Sequence, residues 1–225
     1  MIRRAALIAM VVWGMPTAVF LSADLACINH PARDGDIVFV GPIASSTLFE
    51  GDDPETFNTE KYGIQRAFDG DVRTVWAEGE EGPGIGVEIS FALPRTASRL
   101  TIVNGYAASP TLFRANNRVR ELTVEIRMGI MTDVDQCAEI YTTRLISRTT
   151  LQLADTAQAQ TFAIDLSDPR LANEMEAFQD AVFADGSGNE YLRSMLPIFI
   201  GLLTIESVYP GNRWDDTCLA EIRVD

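Results

Sequence analysis

The sequence predicts an all-β fold, a sandwich of short strands. Three observations carry that expectation. Apolar and polar residues alternate with period two in several runs, turn-forming residues separate those runs, and only one segment shows a sustained helical period. Alternation buries one face of a strand and wets the other, and many such strands in series make a sandwich or barrel. The 225 residues are enough for one such domain with a sizeable core.

The elements follow in order. Arg3 and Arg4 precede an apolar run from Ala5 to Trp13, Gly14 and Pro16 break it, and Ser22 and Ala23 are small. That order reads as a secretory signal peptide, residues 1–23, cut after Ala23. The alternative is an uncleaved anchor, because Ala5 to Ala23 is just long enough to span a bilayer. Residues 24–36 are polar, hold Pro31 and Gly35, and read as a linker. The folded domain is expected over 37–225, starting with Ile37 to Val40. Val87, Ile89 and Phe91 alternate with Glu88 and Ser90. Leu122, Val124, Ile126 and Met128 alternate with Thr123, Glu125 and Arg127. Phe162, Ile164 and Leu166 repeat the pattern, and so do Ala220, Ile222 and Val224. One helix is expected at about 169–184, with Asp168 as N-cap, Pro169 in the first turn, and Leu171, Met175, Phe178 and Val182 on one face. It interrupts the strands and reads as an insertion packed on the sandwich. Met195 to Ile205 is apolar but too short to span a membrane, so it reads as core and no span remains once the signal peptide is removed.

Charge narrows the partners. The formal charge is −14, and removing residues 1–23 takes away two arginines and no acid, leaving −16. Such a chain repels phosphate backbones and anionic lipid heads, so nucleic acid is not an expected partner. Cations and neutral ligands suit it. The three cysteines, Cys27, Cys137 and Cys218, match no zinc spacing. In an exported chain they suggest one disulfide and a spare thiol. Cys137 follows the acidic turn Asp133-Val134-Asp135 and Cys218 opens the last strand, so the expected pair is Cys137 with Cys218.

Residues 67–76 read Ala-Phe-Asp-Gly-Asp-Val-Arg-Thr-Val-Trp. This resembles the A-x-D-G-D-x-x-T-x-W signature of discoidin-like domains, the coagulation factor 5/8 type C or galactose-binding-like sandwiches. Ala44 to Leu48 resembles the early serine pair of that fold, and Ala220-Glu221-Ile222 its closing strand. The order of further pieces is similar to one branch, the carbohydrate-binding (translocation) domain of bacterial NAD glycohydrolases. These pieces are Glu78-Gly79, the glycine-rich 82–86, Asn104-Gly105-Tyr106, Asn116-Asn117-Arg118, Tyr209-Pro210-Gly211 and Asp215-Asp216-Thr217. The resemblance implies a discoidin-like jelly-roll β-sandwich over about 37–225.

It also implies sites. Asp69-Gly70-Asp71 is a tight-turn sequence that gathers two carboxylates and the Thr74 hydroxyl, and hard cations seek such oxygen. The family supplies a far ligand from the last strand, here Glu221. The expected calcium ligands are therefore Asp69, Asp71, Thr74 and Glu221 with the Ala67 carbonyl, although the same residues also make an ordinary surface turn. Discoidin-like modules bind at loops on one end. The ligand-binding residues expected there are Glu78, Asn104, Tyr106, Arg114, Asn117 and Arg118, with Tyr106 as a stacking platform and Arg118 as a forked donor to sugar hydroxyls. Trp76 follows the turn into a strand and is expected in the core.

No catalytic constellation is legible. His30 is the only histidine and sits in the linker. The reading is a non-catalytic, secreted or periplasmic module that binds a glycan or glycoconjugate. A protein-interaction or envelope-structural module with an envelope protein as partner is the alternative, and a glycosidase-like hydrolase is the third.

Overall fold

The structure is a computed structural model, and it describes residues 36–39, 41–49, 61–135, 138–184, 186 and 188–225. The expected signal peptide and nearly all of the linker lie outside these residues, as do His30, Cys27 and Cys137.

Among the described residues ten strands form in chain order: β1 (Asp36–Phe39), β2 (Ile43–Ala44), β3 (Trp76–Ala77), β4 (Glu88–Leu93), β5 (Arg99–Asn104), β6 (Asn117–Asp135), β7 (Ala138–Gln152), β8 (Gln160–Ala163), β9 (Ile198–Tyr209) and β10 (Thr217–Val224). One layer runs β2-β4-β9-β6-β7-β1, all antiparallel. The other runs β3-β10-β5-β8. The layers join at one corner, where Thr217 and Cys218 of β10 lie parallel to Asn117 and Arg118 of β6. This is the sandwich that the alternation predicts, in the jelly-roll form that the resemblance implies.

The alternating residues face inward as expected. Val87, Ile89 and Phe91 are buried, and so are Leu122, Val124, Ile126 and Met128. They meet Leu100, Ile102, Leu219 and Ile222 from the other layer in one core. Trp76 is 0% exposed in that core, so its ring is not a ligand platform. Its indole N–H donates to the Ser46 carbonyl at 3.2 Å.

Among the described residues there are three α-helices. α1 (Pro110–Ala115) is short, with Ser109 as N-cap accepting from the Leu112 amide and Pro110 in the first turn. α2 (Pro169–Val182) is the predicted insertion, and the Asp168 carboxylate caps it through the Arg170 amide. α3 (Glu190–Ser194) follows. Met175 of α2 is 1% exposed, with Leu171 and Phe178 packed beside it on the main core. Phe178 and Val182 also border a second cluster of Ile130, Met131, Tyr141, Phe183, Leu192 and Ile200. The apolar stripe of α2 is thus core contact. It covers the far end of the β6–β7 hairpin, where burial of one sheet face alone would leave Ile130 and Met131 wet.

The expected Cys137–Cys218 crosslink is not formed. Cys218 is a free, buried thiol, and burial holds its pKa well above the ordinary value. It lies beside Arg118 at the start of β6, whereas Asp135, two residues before Cys137, is the last residue of that strand.

Candidate functional site

The corner where the two layers join is built from the motif residues, and it is mostly polar and mostly buried. Arg118 is 7% exposed. Its Nε and Nη2 donate to the two carboxylate oxygens of Asp155 at 2.9 and 2.8 Å. Its Nη1 donates to the carbonyls of Asn116 and Pro210 at 3.0 and 2.8 Å. The guanidinium also lies over the Phe113 ring, 5.3 Å from its centroid. Asn117 is 3% exposed, donates to the Asp215 carbonyl at 2.6 Å and accepts from the Gly211 amide at 2.6 Å. Asn104 is 0% exposed and bridges the Val119 carbonyl and amide at 2.7 and 2.9 Å. Glu78, also 0% exposed, accepts from the Thr217 and Glu80 amides at 3.0 and 2.7 Å.

These four residues were expected to reach a ligand; in the structure they are buried, and their polar atoms bond backbone groups and, for Arg118, the Asp155 carboxylate as well. Glycines allow the approach. A Cβ at Gly84, where φ is +66°, would sit 2.5 Å from Glu78 Cγ, and one at Gly105, at φ +68°, would sit 2.6 Å from Arg118 Cγ. The glycine-rich segment 82–86 therefore serves the Glu78 anchor. Tyr106, expected as a stacking platform, is partly covered. Its ring is half-buried against Leu48, Tyr62, Val75, Ala77 and Cys218, because the turn after Gly105 folds it inward.

Arg114 is the one expected ligand residue that the structure leaves on an open surface. It lines a cleft of about 270 Å³ with Thr111, Leu112, Ala115, Asn212, Arg213 and Trp214. That is near the small end of ligand clefts, roughly 300 Å³. The 210–214 loop is held against the end of α1 by backbone bonds. The Asn212 amide donates to the Arg114 carbonyl at 3.0 Å, and the Arg213 and Trp214 amides donate to the Ala115 carbonyl at 3.2 and 2.8 Å. Gly211 is required there, since a Cβ would lie 2.5 Å from the Ala115 and Trp214 carbonyl oxygens. The Arg213 guanidinium lies 4.3 Å from the centroid of the Trp214 ring. Sequence reasoning missed Asn212, Arg213 and Trp214. The signal was an Asn-Arg-Trp run directly after the Pro-Gly turn, where an aromatic ring has no strand face to enter.

The expected cation turn is a separate place. A 3-10 turn (Ile64–Ala67) leads into it. The Thr74 hydroxyl lies 2.7–3.1 Å from four oxygens: the Arg66 and Asp71 carbonyls and both Asp69 carboxylate oxygens. It has one proton to offer them. Glu221, 5% exposed, accepts from the Gly70 amide at 3.1 Å. Burial raises its pKa, and the charges of Asp69 and Asp71 raise it further. Arg73 forks onto the Asp71 carboxylate and holds its pKa at about 2. Ala67 has a fully buried side chain, and the carbonyl bonded to Thr74 is that of Arg66 instead. Among the described residues no group of three or more His, Cys, Asp or Glu side chains gathers as a metal cluster. Asp69, Asp71, Thr74 and Glu221 are thus brought to one turn, with the Asp71 carboxylate engaged by Arg73. An oxygen-rich turn short of protons fits a hard cation held partly by carbonyls.

A jelly roll whose corner is tied by this ordered set of turns is an F5/8 type C domain. Residues 44–225 match the NAD glycohydrolase translocation F5/8 type C domain, and the chain belongs to that family. Comparison with curated proteins gave no match. Among solved structures, the F5/8 type C domain of a Bacteroides fragilis protein is similar at 14% identity and TM-score 0.40, over 86% of this chain and 93% of that one. A chitosan-binding module from a Paenibacillus chitosanase/glucanase is similar at 14% identity and TM-score 0.38, over 82% and 92%. The arabinofuranosyltransferase AftD from Mycobacteria is similar at 16% identity and TM-score 0.42, over 84% of this chain, which spans 10% of that protein.

Asn117 gives the corner a direct test. Asn117→Ala leaves the Asp215 carbonyl and the Gly211 amide without their partner, and each such loss costs about 1–3 kcal/mol. Urea denaturation of the variant is expected to show a destabilisation in that range or above, with circular dichroism unchanged in native buffer.

Proposed function

We propose that this domain is a non-catalytic, exported carbohydrate-binding module whose site is the cleft between α1 and the 210–214 loop. The observation that carries the reading is the composition of that cleft. A tryptophan, two arginines and an asparagine line one concavity. Sugars present C–H faces that suit a ring and hydroxyls that suit forked donors. A site this small buries little area, so affinity in roughly the micromolar to millimolar range follows. Family membership supports a binding role for the domain, and the motif residues support it indirectly by fixing the loop that carries Trp214.

The interaction-module reading keeps one observation of its own. Tyr191 and Leu196 are 58% and 76% exposed at α3 and the segment after it. Capture of an envelope protein that is lost in Leu196→Asp, with no glycan bound at any calcium level, favours that reading over this one.

Export is the second part of the proposal, and it rests on Arg3-Arg4, the apolar run and the small residues at 22–23. Intact-mass measurement on protein recovered outside the cytoplasm is expected to show the loss of residues 1–23. A full-length chain held in the membrane points to an anchor instead.

Calcium is proposed as a structural ion held by Asp69, Thr74 and Glu221 with turn carbonyls. Bound there it would neutralise the two carboxylates and supply no chemistry. An ion that binds only the native state raises the melting temperature with its concentration. Thermal melts in calcium and in chelator are expected to differ for the wild type and for Asp71→Ala, and to coincide for Asp69→Ala. Coincident wild-type curves sink the proposal.

The sugar site is tested with a glycan array followed by titration of a hit. Trp214→Ala is expected to weaken binding by tenfold or more, since stacking on an aromatic ring contributes about 1 kcal/mol beyond the area it covers. The Tyr106→Ala variant is expected to change stability and not affinity measured on the folded fraction. Unchanged affinity in Trp214→Ala places the site elsewhere.

A further inference from the structure

We infer that the cleft between α1 and the 210–214 loop takes an acidic saccharide, with Arg114 and Arg213 receiving its carboxylate or sulfate group. The inference rests on the reading of this cleft as a sugar site and names the class of sugar.

Three observations lead to it. First, the chain carries 32 acidic residues and a formal charge of −14, yet none of the seven residues lining the cleft is acidic. Second, seven of the twelve other arginines among the described residues are neutralised by an ion pair. Arg66, Arg73, Arg118, Arg127, Arg148, Arg170 and Arg223 each pair with a carboxylate. Among the described residues Arg114 and Arg213 have no such pair, although both face the same concavity. Third, Arg213 is held by the Trp214 ring at 4.3 Å. Stacking on a π face positions a guanidinium without cancelling its charge and leaves its N–H edge able to donate. An ion pair, such as the one Asp155 makes with Arg118, positions and neutralises together.

Two arginines on one cleft, neither paired with a carboxylate and one held against a ring, have a chemical preference. Guanidinium groups bind planar or tetrahedral oxyanions through paired, charge-assisted hydrogen bonds, which are roughly twice as strong as neutral ones. A neutral sugar gains only the weaker kind. The overall negative charge opposes an anionic ligand at long range, but at physiological salt that field is screened beyond about 8 Å. Selection at contact distance therefore belongs to Arg114 and Arg213, and a saccharide supplies the hydroxyls for Asn212 and the C–H surface for Leu112 and the indole edge.

The test titrates the full domain calorimetrically with two matched pairs: a trigalacturonate with its methyl ester, and a sulfated galactan tetrasaccharide with its desulfated form. The acidic member of at least one pair is expected to bind roughly tenfold or more tightly than its neutral partner, given the strength of charge-assisted bonds. The preference is expected to shrink as NaCl is raised. The double variant Arg114→Met/Arg213→Met, checked for an unchanged melting curve, is expected to bind both members of the pair equally. The single variant Arg213→Lys is expected to lose most of the preference, because an ammonium keeps the charge and lacks the planar fork. Equal affinity within both pairs overturns the inference, and so does a preference that survives the double variant. If neutral members bind and Trp214→Ala abolishes that binding, the sugar site stands without the acid preference. If neither pair binds, the acid inference falls, and the array experiment alone decides the underlying sugar reading.

Discussion

Arg118 uses Nε and Nη2 on Asp155, Nη1 on the Asn116 and Pro210 carbonyls, and its planar face on Phe113. Asp155 follows β7 and Pro210 follows β9, so one side chain ties the ends of two neighbours of β6 to the start of β6 itself. A buried guanidinium without these partners would be strongly destabilising, whereas a fully satisfied one fixes where each loop must lie. Removing it would leave the Asp155 carboxylate, the Pro210 carbonyl and the Phe113 ring each without a partner. The cleft depends on this corner, because Pro210 and Gly211 set where Asn212, Arg213 and Trp214 emerge.

Asn117, Asn104 and Glu78 extend the same constraint. Each is a polar side chain that stands in for a missing strand. Asn117 binds the loop before β10, Asn104 splices β5 to β6 through Val119, and Glu78 holds the first amide of β10. A jelly roll must turn corners between layers, and corners leave backbone groups that no ladder can satisfy. Short amides and a carboxylate fill those vacancies with defined geometry, where water would fill them loosely. The consequence is a rigid loop end, and rigid loops hold a binding group in place with little entropy lost on association.

The fold was legible because period-two alternation and helix capping are local properties. Val87, Ile89 and Phe91 report their burial within five residues, and Asp168-Pro169 announces α2 within two. The Ser109-Pro110 start of α1 carried the same kind of signal and went unread, since a six-residue helix shows too little periodicity to stand out. The corner was half-legible. Its residues were recognisable as an ordered set, but their burial and their long-range hydrogen bonds were not. The reason is physical. Asn117 meets Asp215 across 98 positions, Arg118 meets Pro210 across 92, and Glu78 meets Thr217 across 139. An asparagine in a turn has the same sequence signature whether its amide faces water, a sugar or a distant carbonyl. Trp214 escaped for the opposite reason: it belongs to no alternating run, and only the seating of its loop on α1 gives it a neighbourhood.

The separation of scaffold from surface also explains why the acidic character of the chain says little about its ligand. Most of the carboxylates described here are paired, capping or spread over the sandwich, and charge counted over 225 residues averages over all of them. What a ligand meets is the potential within a few ångströms of one cleft. There two α1 carbonyls are consumed by the loop amides, no acidic residue lines the surface, and Arg213 is held by a ring. Local depletion of acid is a consequence of how the corner is tied. Asp155 neutralises the buried cation, and the exposed cations are left to the cleft.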